Sequence, residues 1–377
     1  MPFYNLAMTQ QLDICIRGGG IVGHTLALLL ARDRLRIGLY APQPVTNAES
    51  DVRVYALNAK SKALLQSVRC WPDTEHATEV TAMRVLGDDG GEVNFSAANL
   101  TVPALTWIVD VPALESQLRE AVRFQPHIEI LDAPRPATLT IVCEGRASTT
   151  RAEFGVDFTA TRYPQHAIAA RLACEKPHDQ VARQWFRGDD ILAFLPVNGA
   201  KGQSVGMVWS TPDAHTPTLL AMDEQAFCNQ IEAMSAGCLG KLTLVSPRKA
   251  WALQSAQASR WIGVTNGISW ALAGDAAHNV HPLAGQGLNL GLGDVAELSE
   301  VLHGRAYWRP VNDMKLLRRY ERARRADVTA TDAAMTFLQQ LFSKQGDGWQ
   351  KLRNWGMRGF ERSGMTKEWA ARQAMGL

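Results

Sequence analysis

The sequence predicts a mixed α/β fold in which a parallel sheet flanked by helices carries an inserted antiparallel sheet and is followed by C-terminal helices. Two observations predict it. Short apolar runs of strand length occur near the N-terminus and again before residue 274, each followed by a segment of helical composition. In contrast, the segments 80–102 and 163–248 contain short runs of alternating polarity, which are typical of antiparallel strands. The parallel part is therefore assembled from separate pieces of the chain.

Composition argues against several classes of protein. The chain has 377 residues, 46% of them hydrophobic and 20% charged, enough for about two domains. A formal net charge of +2 argues against a strongly basic nucleic-acid-binding protein. The 6 cysteines include no CxxC pair, which argues against a zinc site or a disulfide framework and favours a cytoplasmic location. We find no signal peptide pattern and no apolar run long enough to span a bilayer, so any membrane contact is expected to be peripheral.

The first predicted unit is a strand, a glycine turn and a helix. The apolar run 13–16 suits a buried strand, and the glycines after it have GxGxxG spacing. The helix that follows, HTLALLLARD, would direct its positive end and free N–H groups at a pyrophosphate. The residues expected at this site are Gly18, Gly20, Ile21, Val22 and Gly23. A purely structural glycine turn is the alternative interpretation.

The second predicted strand, 36–40, ends in Tyr40. An acidic residue is expected there, because a carboxylate accepts hydrogen bonds from both ribose hydroxyls of a dinucleotide. A tyrosine cannot hold a diol in this way. A weakened or redirected adenosine site and the loss of dinucleotide binding are both compatible with this residue.

A second set of candidate residues lies in 271–298, ALAGDAAHNVHPLAGQGLNLGLGDVAEL. Asp275 follows a predicted strand, where it can accept hydrogen bonds from ribityl or ribose hydroxyls. The glycine-rich run 285–291 opens a helix whose N–H groups can stabilise negative charge on a ring carbonyl. His278 and His281 can present two metal ligands, but no third ligand is evident, so metal binding is not predicted.

This segment resembles a known family. The wording GDAAHxxHPxAGQGLNLGLxD at 274–294 is similar to that of the ubiquinone-biosynthesis hydroxylases, a branch of the single-component FAD-dependent aromatic monooxygenases. The resemblance extends over most of the chain in order and spacing. It is carried further by 51–65 (DVRVYALNAKSKALL), 107–118 (WIVDVPALESQL), 162–172 (RYPQHAIAARL), LAFLPV, VWS, LRRYERARRAD and RQAMG.

The resemblance implies a fold like that of p-hydroxybenzoate hydroxylase, with a Rossmann-like FAD-binding domain, an inserted antiparallel β-sheet substrate domain and C-terminal helices. We expect the FAD-binding domain to be discontinuous. Its expected pieces are 8–75, 104–158 and 259–310, with 76–103 and 159–258 as the substrate domain and 311–377 as the C-terminal helical region.

The resemblance also implies the chemistry. NAD(P)H or a protein electron donor would reduce the FAD, and a flavin C4a-hydroperoxide formed with O2 would hydroxylate an aromatic ring, with a polyprenyl phenol of ubiquinone biosynthesis as the expected substrate. By position, Arg53 would lie near the flavin, Asp275 on the ribityl chain and Pro282 beside the oxygen-reacting face. The residues expected at the pyrimidine edge are Gly285, Gln286, Gly287, Leu288 and Asn289. No dedicated acid–base side chain is implied.

The sequence departs from the family pattern at three places. Tyr40 replaces the usual acid, Glu144 in CEGRAS stands where the family has an ADGxxS-like motif, and the segment 124–137 lacks a further β-meander. All three lie on the adenosine and nicotinamide side of the expected cofactor. They predict weakened FAD binding.

Two alternative functions stay open from sequence alone: a non-catalytic or weakly FAD-binding scaffold of the same fold, and a hydroxylase of small soluble aromatics. The region from Lys315 to the C-terminus carries 13 Lys and Arg against 6 Asp and Glu, with apolar residues near helical spacing. It predicts either a helical cap packed on the FAD-binding domain or a basic surface that contacts anionic lipid on the inner face of a membrane. Other quinone-pathway proteins are further expected partners.

Overall fold

The computed structural model describes residues 11–42, 51–87, 90–280 and 286–343, with a few further positions between 359 and 375. Within these ranges the helices are α1 (Ile21–Ala31), α2 (Ala59–Ser67), α3 (Ala97–Leu100), α4 (Val111–Arg123), α5 (Thr149–Glu153), α6 (Thr216–Ala221), α7 (Glu224–Met234), α8 (Gly287–His303) and α9 (Met314–Ser343). The strands are β1 (Leu12–Arg17), β2 (Ile37–Tyr40), β3 (Val54–Leu57), β4 (Ala77–Val80), β5 (Ala82–Leu86), β6 (Glu92–Ser96), β7 (Thr106–Asp110), β8 (Ile128–Leu131), β9 (Ala137–Val142), β10 (Phe158–Cys174), β11 (Val181–Arg187), β12 (Asp190–Val197), β13 (Ser204–Pro212), β14 (Leu242–Leu244), β15 (Lys249–Ala258), β16 (Ile262–Thr265), β17 (Ile268–Leu272) and β18 (His278–Asn279).

The first sheet is mainly parallel and has the order β16-β17-β9-β1-β2-β8 among the described strands. The central strand β1 is apolar on both faces: Ile14 and Ile16 on one face and Cys15 on the other are buried. Helices α1, α4 and α8 supply side chains to the same core, as continuous apolar strands require. This arrangement confirms the predicted α/β fold class.

The second sheet has the order β18-β15-β10-β13-β12-β11-β5-β6, with β14 added beside β10. Its pairings are antiparallel except for that between β11 and β5, which are joined in parallel. The two faces differ because side chains alternate along each strand. One face packs large side chains, among them Phe194 and Trp209, against α6 and α7. The other face borders a cavity.

A small third sheet, β3-β7-β4, lies between the two large ones. Val54 of β3 packs directly on Gly206 of β13, where a Cβ added to the glycine would lie 2.7 Å from Val54 Cγ2. The strand β18, from a segment predicted to belong to the FAD-binding domain, pairs with β15 of the second sheet. The second sheet therefore contacts the rest of the protein through β3, which packs on β13, and through β18, which pairs with β15. The domain boundaries stay a prediction.

The described C-terminal positions contact the inserted sheet. Glu361 accepts a hydrogen bond from the Asn94 backbone at 3.0 Å, Arg372 donates to the Leu100 carbonyl at 3.3 Å, and Met375 is buried against α3. The sequence favoured a cap on the FAD-binding domain, whereas these contacts are with β6 and α3.

Candidate cofactor and substrate sites

The glycine turn after β1 is shaped by close backbone packing. Gly18 has φ +127°, and a Cβ on it would lie 2.2 Å from the Cys143 carbonyl oxygen, so only glycine fits. A Cβ on Gly23 would lie 2.0 Å from the Gly18 carbonyl oxygen. A Cβ on Gly20 would meet no protein atom within 4 Å. Gly18 and Gly23 therefore build the turn, whereas Gly20 borders the open cleft.

The turn leads directly into α1. Gly20 is the N-cap residue, and the first bond of the helix runs from the His24 N–H to the Gly20 carbonyl at 3.1 Å. The N–H groups of the first turn therefore have no partner inside the helix and favour an anion. The Ile21 side chain is buried in the core, so only its backbone is available to a ligand. Val22 packs against Gly274 and Gly291 and thereby joins the two glycine-rich segments.

The first cavity lies beside this turn and has a volume of about 550 Å³. Gly18 and Gly20 line it, and Tyr40 lies at the end of β2 in the place predicted for the ribose carboxylate. Its described lining also contains charged residues of both signs: Arg17, Arg53, Arg119, Asp51, Glu115 and Glu144. The cleft has the position and the N–H groups that a dinucleotide pyrophosphate requires, together with carboxylates that oppose an anion.

Arg53 forms the wall between the two cavities and borders both. Its guanidinium binds Asp51, with Nη2 2.5 Å from Oδ2, and lies 3.6 Å from Glu115 Oε1. The hydrogen bonds that the guanidinium donates to Asp51 raise the pKa of Arg53, which stays fully charged. Burial raises the pKa of Glu115, and the nearby charge of Asp51 adds to this, against the opposing charges of Arg53 and Arg119.

Glu144 is engaged by protein groups. Its carboxylate accepts hydrogen bonds from Arg17 Nε at 3.1 Å, Ser148 Oγ at 2.7 Å and Thr150 Oγ1 at 2.6 Å, and so anchors the start of α5. Arg151, seven residues after Glu144, is not a surface residue. It is instead 7% exposed and donates to the Ala276 carbonyl at 3.1 Å. Glu144 therefore fixes the wall of the first cavity, whereas Arg151 joins α5 to the segment that follows β17.

The segment 124–137, the third departure from the family pattern, contains one strand, β8, at the edge of the first sheet. β8 pairs in parallel with β2, and only residues 132–136 connect it to β9. Phe124, before this strand, is 79% exposed.

The second cavity has a volume of about 470 Å³ and lies between the second sheet and the small third sheet. At one end are Arg53, Asp275 and Asn279. Asp275 is exposed to solvent through the cavity, although protein atoms pack closely around its carboxylate. This packing removes water from the carboxylate and raises the pKa of Asp275, while the positive charges of His278 and Arg146 act in the opposite direction. Asp275 therefore supplies a hydrogen-bond acceptor in a cavity whose lining is mainly apolar.

Small side chains form the floor of the second cavity. Cross-strand pairing places Ala169, Val208 and Ala193 in one row over β10, β13 and β12. Ala167 and Ser210 form the next row, between Trp251 of β15 and Ile191 of β12. All seven line the cavity. Because the same strands bear Trp and Phe on their other face, the cavity results from alanine and serine at alternating positions.

A buried ion-pair cluster supports the segment 274–294, and sequence analysis did not predict it. Asp294 is fully buried and accepts hydrogen bonds from the Gly274 N–H at 2.8 Å, His278 Nε2 at 2.6 Å and Arg324 Nε at 2.8 Å. Burial opposes ionisation of Asp294, but His278 and Arg324 hold its pKa below the usual range. The final Asp of the motif and Arg324, in the segment LRRYERARRAD, both belong to recognised segments, but no local pattern indicates that these two residues, 30 positions apart, form a pair.

The helix α8 begins at the remaining predicted residues. The Asn289 side chain accepts from the Asn58 N–H at 3.0 Å and from Ser61 Oγ at 2.7 Å, and donates to the Ala56 carbonyl at 2.8 Å. It therefore joins α8 to the β3–α2 segment, and only its backbone is free to contact a ligand. The described lining of neither cavity includes 286–289. His281, Pro282 and Gly285 lie outside the described residues.

His278 is committed to Asp294 and stacks on Trp261, with ring centroids 4.9 Å apart. The described residues contain no group of three or more His, Cys, Asp or Glu side chains that could hold a metal ion.

Replacing Gly20 by alanine separates the two roles of the glycine turn. We expect unchanged folding, because the added methyl group meets no protein atom, and FAD binding weaker by about tenfold, because it occupies the path of the phosphates. Fluorescence titration with FAD and thermal unfolding without it measure the two effects. Equal FAD affinity in the variant would show that the phosphates do not approach Gly20.

Comparison with known proteins agrees with this geometry. Residues 136–334 match the model of an FAD-binding domain family. The chain is 30% identical to 3-demethoxyubiquinol 3-hydroxylase of Escherichia coli (strain K12) over 400 residues, which cover 98% of this chain and 99% of the relative. The chain belongs to the FAD-dependent aromatic monooxygenases.

Other relatives extend this result. Ubiquinone hydroxylase UbiL of Rhodospirillum rubrum is 28% identical, covering 97% of this chain and 89% of the relative. The human mitochondrial ubiquinone biosynthesis monooxygenase COQ6 is 26% identical, with coverages of 92% and 88%.

Solved structures share the fold at low sequence identity. PqsL, a probable FAD-dependent monooxygenase from Pseudomonas aeruginosa, matches with a TM-score of 0.74 at 18% identity, covering 92% of this chain and 100% of that one. The p-nitrophenol 4-monooxygenase PnpA of Pseudomonas putida matches with a TM-score of 0.73 at 17% identity, with coverages of 97% and 96%.

The described residues of this monooxygenase fit its cofactor, FAD. The glycine turn and α1 offer N–H groups for the pyrophosphate, and Arg53 lies where the first cavity meets the second. In the second cavity, Asp275 supplies a hydrogen-bond acceptor for hydroxyl groups of the cofactor.

Proposed function

We propose that this monooxygenase hydroxylates a polyprenyl phenol intermediate of ubiquinone biosynthesis, with NAD(P)H or a protein electron donor as reductant. The second cavity carries this proposal, because it joins polar groups at Arg53 and Asp275 to a mainly apolar floor formed by the second sheet. A phenol ring needs few polar contacts, and a prenyl tail needs space without hydrogen-bonding groups that it would leave unpaired. The names of the relatives support the choice of phenol.

Bound FAD supplies the chemistry: it accepts the electrons of the reductant, activates O2 and delivers one oxygen atom to the ring. The protein binds and orients both partners. Arg53, fixed by Asp51, supplies positive charge at the junction of the cavities, and Asp275 accepts hydrogen bonds from the cofactor side chain. The apolar lining keeps water from the reacting atoms, which protects the oxygenating species.

A scaffold without catalysis is the alternative that the sequence left open. Tyr40, Glu144 and the short 124–137 segment favoured it. In the structure Glu144 is satisfied by Arg17, Ser148 and Thr150, and the cleft keeps its glycine turn. The catalytic function is therefore the one we propose.

The test is a visible spectrum of the purified protein before and after addition of FAD, followed by turnover with a prenylated phenol. The proposal requires a flavin spectrum, substrate-dependent oxidation of NAD(P)H and a product heavier by one oxygen atom. Bound FAD without product from any phenol, also with a donor protein supplied, would favour the scaffold. A product from small soluble phenols alone would indicate the third function.

FAD affinity is expected to depend on pH through Glu115. Ionised Glu115 repels the pyrophosphate, so FAD binding should weaken as pH rises through the raised pKa of this residue and tighten as pH falls below it. The effect is about 1 kcal/mol, or roughly fivefold in Kd, for charges separated by water. The Glu115→Gln variant should bind FAD tightly and lose this pH dependence. Titrations at several pH values check this, and a pH-independent wild-type protein contradicts it.

We also propose that the protein meets its substrate at a membrane surface, by peripheral contact. A polyprenyl phenol is dissolved in lipid, so its hydroxylase must reach the bilayer. Among the residues that the structure describes, no helix combines the length and the apolar character needed to cross a membrane.

A further inference from the structure

An exposed aromatic pair lies in the connection between α8 and α9. Tyr307 is 94% exposed and Trp308 is 70% exposed. Their rings contact each other edge to face, with centroids 4.9 Å apart. Few residues of this size are so exposed in a folded protein, because each leaves apolar surface in water. These two side chains are therefore candidates for an interaction surface.

The connection itself is anchored to the protein. Val311 is buried, Asn312 donates to Ser269 Oγ of β17 at 3.2 Å, and Arg309 binds Asp313 at 2.9 Å. The aromatic pair is thus presented by a loop that is anchored directly after the pair, on its C-terminal side. Such a loop positions two rings at little cost in conformational entropy.

A cationic face of α9 begins a few residues later. Lys315, Arg318, Arg319 and Arg322 are all exposed, and their spacing of i, i+3, i+4 and i+7 places them on one side of the helix. The opposite side is buried, with Leu317 and Tyr320 fully inaccessible. Arg319 has an acidic partner, Glu300, at 3.9 Å with both side chains exposed, a weak pair. The face keeps most of its positive charge.

We propose that Tyr307, Trp308 and this cationic face of α9 form a docking surface for an anionic lipid bilayer. Tyr and Trp rings favour the interface between water and hydrocarbon, and Lys and Arg are attracted by anionic headgroups. This inference rests on the proposed function, because such a surface would serve to deliver a substrate that is dissolved in lipid. Within the basic region predicted from Lys315 to the C-terminus, it assigns the lipid contact to the start of α9 and adds the aromatic pair that precedes this helix.

A second copy of the chain fits this surface less well. In a symmetric dimer the same patch meets itself, so the cationic faces would oppose each other. Two side chains also cover far less than the roughly 800 Å² per partner of a stable interface. A bilayer needs neither a large contact nor a matching shape.

The test is co-sedimentation of the FAD-loaded protein with vesicles of phosphatidylcholine alone or mixed with phosphatidylglycerol. We expect binding to the mixed vesicles, weakened by salt. The double variant Tyr307→Ser/Trp308→Ser should bind at least tenfold more weakly. The variant with glutamine at all four α9 positions should lose the preference for phosphatidylglycerol, since each cation near an anionic surface contributes about fivefold.

The matched control is Arg123→Gln/Phe124→Ser, which removes an exposed cation and an exposed aromatic ring at the end of α4. It should bind vesicles like the wild type. Equal binding by all variants overturns the proposal, as does wild-type protein that ignores phosphatidylglycerol. A drop in molecular mass by light scattering in the Tyr307/Trp308 variant, with vesicle binding unchanged, would assign the surface to a second copy. Because no turnover is measured, failure here is distinct from failure of the proposed hydroxylation.

Discussion

Replacing Ala169 by phenylalanine is expected to lower kcat/KM for a prenylated phenol by about 100-fold, or about 2.7 kcal/mol, while FAD binding is retained. Ala169 lines the second cavity and is 8% exposed, between its neighbours on β13 and β15. A phenyl ring there fills space that the substrate needs. Displacing the packed sheet to accommodate the ring would lower the free energy of unfolding by about 1–3 kcal/mol. The larger loss is therefore expected in catalysis rather than in folding.

Steady-state kinetics with a long-tailed and a short-tailed phenol check this expectation. If the floor accommodates the tail, the short-tailed substrate should lose less activity than the long-tailed one. Ala160→Phe is the matched control, because Ala160 is exposed on the same strand and outside the cavity. Full activity of the Ala169 variant with the long-tailed phenol would show that the substrate does not lie on this face.

Much of the fold could be predicted because its signals are local. The strand, glycine turn and helix at 12–31 need only a few adjacent residues, and the observed strand β9 coincides with the apolar run ATLTIV. Gly18 and Gly23 could be assigned because only glycine fits such close backbone contacts. The parallel pairing of β5 with β11 could not, because the two strands lie far apart in the chain and parallel partners leave no turn between them.

Sequence analysis predicted those residues of the candidate site that belong to a recognisable motif, but not the residues whose role depends on distant neighbours. Asp275 and Arg53 were predicted from their motifs, and both line cavities. The alanine floor was missed, because alanines that leave a cavity look in sequence like alanines that fill a core. The ligand contact expected of Asn289 is through its backbone N–H group and stays a prediction, whereas the bonds of its side chain with Ala56, Asn58 and Ser61 were not predicted. Such use depends on a partner more than 200 residues away, which no local pattern reveals.

Replacing Asp294 by alanine is expected to cost about 3–5 kcal/mol of unfolding free energy. The change leaves Arg324 without its buried counter-charge and removes the acceptors of the Gly274 N–H and His278. Because Gly274 directly precedes Asp275, FAD affinity should fall as well. Urea unfolding and FAD titration measure the two effects. Asp294→Asn keeps an acceptor for Gly274 but loses the charge, so it should fall between the alanine variant and the wild type.

The control for this cluster is Asp327→Ala. Asp327 also binds Arg324, with Oδ2 2.6 Å from Nη1, but its side chain is 66% exposed, so the loss should stay below about 1 kcal/mol. The stability that Asp294 contributes should also depend on pH. The pKa of Asp294 is lowered in the folded protein, so its contribution is complete above the ordinary carboxylate pKa of about 4 and is lost as pH falls through the lowered value. The Asp294→Asn variant should lack this loss in acid. An equal acid sensitivity of wild type and variant would mean that Asp294 is not held as an ion by His278 and Arg324.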